Sequence, residues 1–165
     1  IPLLIYNLPA MTGVHIHAQT IAELSNRYPN IVGIKDSSGD FDHILQYIGE
    51  AREDFSVLSG ADMLILWTLM AGGKGGITGI ANIYPEAFAN IYDLWKAGDF
   101  EAALEAQNSL RPIWDCMKLG NVSSIIKRAT LLLGEKVGPV REPFNLTDPE
   151  IDRELLDVIK SHPLK

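Results

Sequence analysis

Short apolar segments alternate with amphipathic segments along most of the chain. Each apolar segment ends in Gly, Ser, Asp or Asn, and a stretch of helical periodicity follows it. The candidate strands are Leu3–Tyr6, Ile31–Lys35, Phe55–Ser59 and Gly76–Thr78. The candidate helices are Ile16–Arg27, Phe41–Glu53, Asp62–Ala71 and Pro85–Ala97. This alternation, with nearly continuous apolar strands, predicts an α/β fold with parallel strand pairing.

The last third of the chain has only helical patterns. Its candidate helices are Phe100–Met117, Ser123–Leu133 and Glu150–Lys160. Thr147 is a candidate N-cap for the last helix, with Glu150 reaching back to complete a capping box. We therefore predict four βα units in residues 1–98 and a helical extension in residues 99–165. Four parallel units leave two unpaired edges, which indicates either a small open sheet or half of an eight-unit barrel.

The composition and the net charge of the chain argue against several classes of protein. Hydrophobic residues make up 47% of the 165 residues, enough for a folded core. The 14 basic and 21 acidic residues give a net charge of −7, which argues against a nucleic-acid partner. Apolar runs are too short to span a membrane, for which about 18 residues are needed. With Cys116 as the one cysteine, an internal disulfide is excluded, and a cytoplasmic location fits.

Two strand ends carry the residues of greatest chemical interest. Lys35 follows the apolar strand residues 31–34, and Tyr6 ends the preceding strand. We expect the stem of Lys35 to be buried, and burial favours the neutral amine that attacks a ketone to form a Schiff base. Tyr6 could relay protons. The alternatives are a lysine whose ammonium reaches water and a core tyrosine with a bonded hydroxyl.

Other candidate sites are weaker. Asp62 could bind substrate hydroxyls or could cap a helix. The glycine-rich stretch 72–76 lacks a Ser or Thr after Lys74 and precedes a strand, so it does not match a phosphate-binding loop. His15 and His17 have no third ligand nearby in the sequence, and we predict no metal site there.

Two longer motifs resemble those of a known family. Residues 6–13, Tyr-Asn-Leu-Pro-Ala-Met-Thr-Gly, resemble the tyrosine motif of the dihydrodipicolinate synthase/N-acetylneuraminate lyase superfamily. Residues 33–40, Gly-Ile-Lys-Asp-Ser-Ser-Gly-Asp, resemble its Schiff-base lysine motif. Residues 59–62 and 75–82 are similar to its next two strand ends. The motifs occur in the family's order, and the resemblance extends over essentially the whole chain.

This resemblance implies a TIM barrel of which the chain supplies strands five to eight and the C-terminal helical extension. We expect the N-terminal half-barrel, with its carboxylate-binding motif, to be absent, because the chain begins in a strand without an initiator Met. Lys35 would form an imine with pyruvate and Tyr6 would relay protons, with no metal or organic cofactor. The substrate end would be lined by Gly60, Asp62, Thr78 and Ser37. A homo-oligomer is implied as well.

The substrate beyond pyruvate is suggested by three departures from the family's motifs. By the motif resemblance, Met11 occupies the position at which dihydrodipicolinate synthases usually have an arginine. Met63 likewise occupies the position at which sialic acid lyases have a glutamate. A serine that those lyases have near Gly79 is also missing. Residues 59–65 and 119–124 instead resemble the corresponding segments of 2-keto-3-deoxygluconate aldolases. We therefore predict cleavage of a 2-keto-3-deoxy sugar acid to pyruvate and an aldehyde. The alternatives are those other two activities, an inactive half-barrel, and a small open-sheet binding protein.

Overall fold

The computed structural model describes residues 1–144 and 148–162. Contacts between Cα atoms divide the chain into two compact units, Ile1–Thr78 and Gly79–Lys165. The strands of the first unit are β1 (Leu3–Asn7), β2 (Ile31–Asp36), β3 (Ser56–Ser59) and β4 (Gly75–Gly76). Its helices are α1 (Pro9–Thr12), α2 (Ala18–Arg27), α3 (Phe41–Glu50) and α4 (Ile65–Met70), with a 3₁₀ turn at Asp62–Leu64.

The strands form one sheet in the order β1-β2-β3-β4, and every pair is parallel, as the sequence predicts. Tyr6 lies directly opposite Lys35, and the next residues, Asn7 and Asp36, also lie opposite each other. Because side chains alternate between the two faces of a strand, these two pairs project to opposite sides of the sheet.

One face of the sheet is covered by helices and forms the core. Ile34 on this face and Ile44 and Tyr47 of α3 are completely buried. Ile21 of α2 packs into the same cluster. On the other face, the side chains of Leu4 and Tyr6 remain about half exposed. The sheet of the first unit is therefore packed on one side and open on the other.

The second unit consists of helices and turns, with no strand in the part that the structure describes. Its helices are α5 (Pro85–Ala97), α6 (Phe100–Ser109), α7 (Arg111–Cys116), α8 (Val122–Leu132) and α9 (Pro149–Ser161). Short 3₁₀ turns occupy Ile80–Asn82 and Met117–Leu119. Helix α5 packs against α6, so the contact boundary lies before α5, whereas our sequence division places this helix with the βα units.

Several predicted boundaries change for identifiable reasons. The single helix predicted over Phe100–Met117 is wrong, because the chain breaks between α6 and α7 at Leu110. Pro112 explains the break, since proline lacks an N–H and its ring clashes with a continuing helix. The fourth strand is shorter than predicted and ends at Gly76. Asp148 caps α9 by accepting a hydrogen bond from the Glu150 N–H, and Thr147 lies outside the described residues.

Cys116 is buried, and burial raises the pKa of its thiol. Within residues 1–144 and 148–162, none of the helices is both long and apolar enough to cross a bilayer.

Candidate active site

Tyr6 and Lys35 form the centre of the candidate site, at the carboxyl ends of β1 and β2. The Lys35 Nζ atom lies 4.2 Å from the centroid of the Tyr6 ring. The Ser37 hydroxyl donates a long hydrogen bond of 3.4 Å to the Tyr6 hydroxyl. Tyr6 is 48% exposed, so the alternative of a core tyrosine is wrong. Lys35 is half-buried as a whole residue.

Gly60 fits closely against this pair and leaves no room for a side chain. A Cβ atom at this position would lie 1.8 Å from the Ser37 Oγ and 2.8 Å from the Lys35 Cε. Its backbone N–H donates to the Asp36 carbonyl oxygen at 2.6 Å, and the Ser37 N–H donates to the Asn7 carbonyl oxygen at 2.9 Å. Backbone hydrogen bonds thus hold the three strand ends beside one another.

Asp62 and Thr78 follow the next two strands of the same unit. Asp62 is the first residue of a 3₁₀ turn whose cap position is occupied by Ala61, so the alternative role of Asp62 as N-cap is not observed. The Thr78 hydroxyl is buried and has no hydrogen-bond partner among the described residues. Direct contacts therefore join Tyr6, Lys35, Ser37 and the Gly60 position, and Asp62 and Thr78 are placed near them by strand order.

A buried polar group on the opposite face was missed from the sequence. The Asn7 Nδ2 atom donates to the Asp36 Oδ1 atom at 2.6 Å, and both residues are 1% exposed. The Ser38 hydroxyl donates to the second Asp36 oxygen at 2.6 Å. The Ile16 N–H donates to the Asn7 Oδ1 atom at 3.1 Å. The signal was available, since Asn7 and Asp36 each directly follow a candidate reactive residue.

Three histidines lie together beside this buried group. The His15 ring stacks on the His43 ring at a centroid distance of 3.8 Å, and the His17 ring stands edge-on at 5.4 Å. Burial and the neighbouring His43 and His17 lower the pKa of His15, opposed by Asp36 and Asp40. Within the described parts of the chain, no group of three or more His, Cys, Asp or Glu side chains is arranged to hold a metal ion.

Tyr47 connects the core to the loop that carries these histidines. Its hydroxyl donates to the Ile16 carbonyl oxygen at 2.5 Å. Burial, and secondarily the negative charge of Asp36, raise the pKa of Tyr47. The phenol therefore remains protonated and keeps donating this bond at all physiological pH values.

Comparisons with other proteins place these features in a family. The model of the dihydrodipicolinate synthetase family matches residues 1–162. A 4-hydroxy-tetrahydrodipicolinate synthase of Methanoculleus marisnigri is 39% identical over 163 residues, which cover 98% of this chain and 56% of that protein. An uncharacterised DapA-like lyase of Thermofilum pendens is 31% identical, covering 100% of this chain and 56% of its own length. The chain thus spans about half the length of these curated relatives.

Solved structures give the same result. Dihydrodipicolinate synthase of Aquifex aeolicus superposes with a TM-score of 0.91 at 32% identity, over 100% of this chain and 57% of that one. YagE, a prophage protein of the dihydrodipicolinic acid synthase family from E. coli K12 in complex with pyruvate, superposes with a TM-score of 0.95 at 28% identity, with the same coverages. The parallel strands, the motifs at their ends and these matches agree, and the chain belongs to the dihydrodipicolinate synthetase family.

Proposed function

We propose that this chain provides the reactive lysine of a Schiff-base-forming class I aldolase that acts on pyruvate and 2-keto-3-deoxy sugar acids. In this proposal the chain supplies strands five to eight of a (β/α)₈ barrel and its helical extension. The observation that carries the proposal is the position of the Lys35 Nζ atom, 4.2 Å from the Tyr6 ring centroid at the carboxyl edge of a parallel sheet. That edge is where barrel enzymes bind their substrates.

The first chemical step joins Lys35 to the keto acid. The unprotonated Nζ atom attacks the C2 carbonyl carbon, forming a carbon–nitrogen bond and a carbinolamine. Loss of the carbinolamine hydroxyl as water then gives the protonated imine. Tyr6, whose ring centroid lies 4.2 Å from the Nζ atom and whose hydroxyl contacts the Ser37 hydroxyl, is the residue that moves protons during this dehydration.

The second step breaks the bond between C3 and C4 of the sugar acid. Its electron pair moves toward the iminium nitrogen and leaves an enamine, while the C4 hydroxyl loses its proton and becomes the aldehyde. Tyr6 carries that proton to C3, which converts the enamine to the imine of pyruvate. Water then hydrolyses this imine, releasing pyruvate and restoring the Lys35 amine.

The remaining site residues are assigned to substrate binding. Gly60 leaves open the space beside Lys35 and Ser37 that any side chain would fill. The Thr78 hydroxyl lacks a partner among the described residues and is available to a substrate oxygen. Asp62, in the 3₁₀ turn that follows β3, is assigned to bind sugar hydroxyls.

Condensation of pyruvate with an amino-acid semialdehyde is the second candidate, because relatives up to 39% identical are named 4-hydroxy-tetrahydrodipicolinate synthase. The first candidate is favoured by Met11, an 80% exposed apolar residue where a cationic residue would bind the semialdehyde carboxylate. In either case we expect strands one to four to complete the pocket and a cytoplasmic homo-oligomer to be the working form.

The test is reduction with sodium borohydride in the presence of pyruvate, followed by peptide mass spectrometry. We expect a pyruvate-derived adduct on Lys35 that is absent from Lys35→Arg and unchanged in Lys74→Arg, which removes an exposed lysine. Equal labelling of Lys74, Lys96 and Lys118 would show that Lys35 has no special reactivity. Absence of any adduct would support the inactive half-barrel.

A separate assay distinguishes the two substrates. The unaltered protein, with Lys35 present, is incubated with 2-keto-3-deoxygluconate, and the pyruvate released is measured. In parallel, pyruvate consumption is measured with aspartate semialdehyde. Activity in only the second assay would reassign the enzyme to the condensation reaction.

A further inference from the structure

A buried hydrogen bond joins the two strands that carry Tyr6 and Lys35. Asn7 and Asp36 follow them directly in sequence and face each other across β1 and β2. Their side chains meet at 2.6 Å on the face opposite the candidate site, and each is 1% exposed. Burying a carboxylate costs folding free energy unless its oxygens accept hydrogen bonds. Separating Asn7 from Asp36 would break such a bond, so the two side chains stay together.

Every polar atom of this pair has a partner. One Asp36 oxygen accepts from Asn7 and the other from the Ser38 hydroxyl. The Asn7 oxygen accepts from the Ile16 N–H at 3.1 Å, and its Nδ2 atom also lies 3.3 Å from the His15 Nδ1 atom. The amide of Asn7 is therefore fixed in one orientation, with nitrogen toward Asp36 and oxygen toward Ile16.

We propose that Asn7 and Asp36 are positioning residues for the reaction at Lys35, acting through the alignment of the β1 and β2 ends. The proposal rests on the proposed function, since it concerns the same lysine. Neither side chain reaches the open face, so neither touches the substrate. Their hydrogen bond instead fixes the strand residues from which Tyr6 and Lys35 project.

The backbone contacts nearby explain how this alignment reaches the site. The Asn7 carbonyl oxygen accepts from the Ser37 N–H, and the Asp36 carbonyl oxygen accepts from the Gly60 N–H. Ser37 contacts the Tyr6 hydroxyl, and Gly60 faces Lys35. A shift of either strand end would therefore move the Lys35 amine relative to the Tyr6 hydroxyl, and displacements of about 1 Å can cost about 100-fold in rate.

The arrangement allows a reciprocal exchange as a test. In Asn7→Asp, two carboxylates oppose each other across the strands. In the double variant N7D/D36N, the new amide can donate to the new carboxylate and still accept from Ser38, while the carboxylate accepts from the Ile16 N–H. His15 would need only to carry its proton on Nδ1. The exchange therefore restores the hydrogen bonds without restoring the sequence.

The measured quantity is the rate at which the borohydride-trapped pyruvate adduct forms on Lys35. It is measured at several pyruvate concentrations and divided by the amount of folded protein. We expect a decrease of about 100-fold in the maximal rate for N7D, with the half-saturating pyruvate concentration little changed, and recovery to within about threefold in N7D/D36N. Asn26→Asp, the same change at an exposed helical position, is the matched control and should react like the unaltered protein.

Should N7D fail to fold, Asn7→Ser replaces it, because serine adds no charge and is too short to reach Asp36. The proposal is overturned if these single variants lower only the melting temperature and leave the rate per folded molecule unchanged. It is equally overturned if the exchange restores stability and leaves the rate low.

Amide hydrogen exchange separates this proposal from the proposed function. Unaltered protein that forms no Lys35 adduct would contradict the proposed function. Exchange at the Ser37 and Gly60 amides would still test the alignment, because both donate to the backbone of Asn7 or Asp36. Protection lost in the single variant and regained in the exchange supports the positioning role, and unchanged protection overturns it.

Discussion

The two faces of the β1–β2 strand ends differ sharply although consecutive residues form them. On the open face, Tyr6 is 48% exposed and makes one long hydrogen bond and a ring contact with Lys35. On the packed face, Asn7 and Asp36 are 1% exposed and fully hydrogen-bonded. Strand alternation thus separates the residues of the candidate site from a buried pair whose side chains bond to each other across the two strands.

The largest expected effect is on stability, from the packed face. Ile34→Ala removes a completely buried side chain from the core and should lower the free energy of unfolding by about 3 kcal/mol. Leu4→Ala, on the open face where the side chain is 50% exposed, should cost less than about 1 kcal/mol. Urea denaturation of both variants measures the difference, and equal losses would mean that the open face is covered in solution.

The next effect is on reactivity alone. Tyr6→Phe keeps the ring under the Lys35 Nζ atom and removes the hydroxyl, so adduct formation with pyruvate should slow by about 100-fold. The unfolding free energy should change by less than about 0.5 kcal/mol, since the Ser37–Tyr6 bond is long and exposed. An unaltered trapping rate would remove Tyr6 from the proposed proton relay.

A smaller effect is expected from Gly60→Ala. The added methyl group would lie 1.8 Å from the Ser37 Oγ, 2.8 Å from the Lys35 Cε and 2.9 Å from the Ser37 Cβ. The hydroxyl and the Lys35 side chain must therefore move, and the Ser37 backbone must shift slightly. We expect trapping at Lys35 to slow about tenfold while the protein remains folded. Gly49→Ala, where a Cβ meets nothing within 4 Å, is the matched control and should leave trapping unaltered.

The sequence predicts much of this architecture and less of its polar packing. The parallel strands and the position of Tyr6 and Lys35 at strand ends follow from the apolar runs and the residues that end them. The break before α7 does not follow from the pattern, because apolar residues keep their helical spacing on both sides of Pro112. That spacing favours one continuous helix, whereas the proline interrupts it. The stacking of His43 on His15 also escaped prediction, because it joins a loop to a helix across a distance that no local pattern encodes.

The smallest effect is a pH dependence of stability. The pKa of His15 is lowered in the folded state, so the unfolded chain binds more protons as the pH falls through its usual value near 6.5. Stability should therefore decrease on acidification from about pH 7 and stop decreasing once the pH lies below the folded-state pKa. His15→Gln should flatten this slope in unfolding measurements between about pH 5 and 7.5, whereas an unchanged slope would assign it to other groups.

The stacked His15 and His43 rings give the first unit a built-in spectroscopic probe. The two ring centroids lie 3.8 Å apart and the ring planes differ by 26°. The ring protons of each imidazole therefore experience the ring current of the other. Their nuclear resonances should be shielded and distinct from that of the exposed His162. Any ligand or sequence change that shifts the loop preceding α2 would alter this shielding, which makes motion near the strand ends observable without an introduced label.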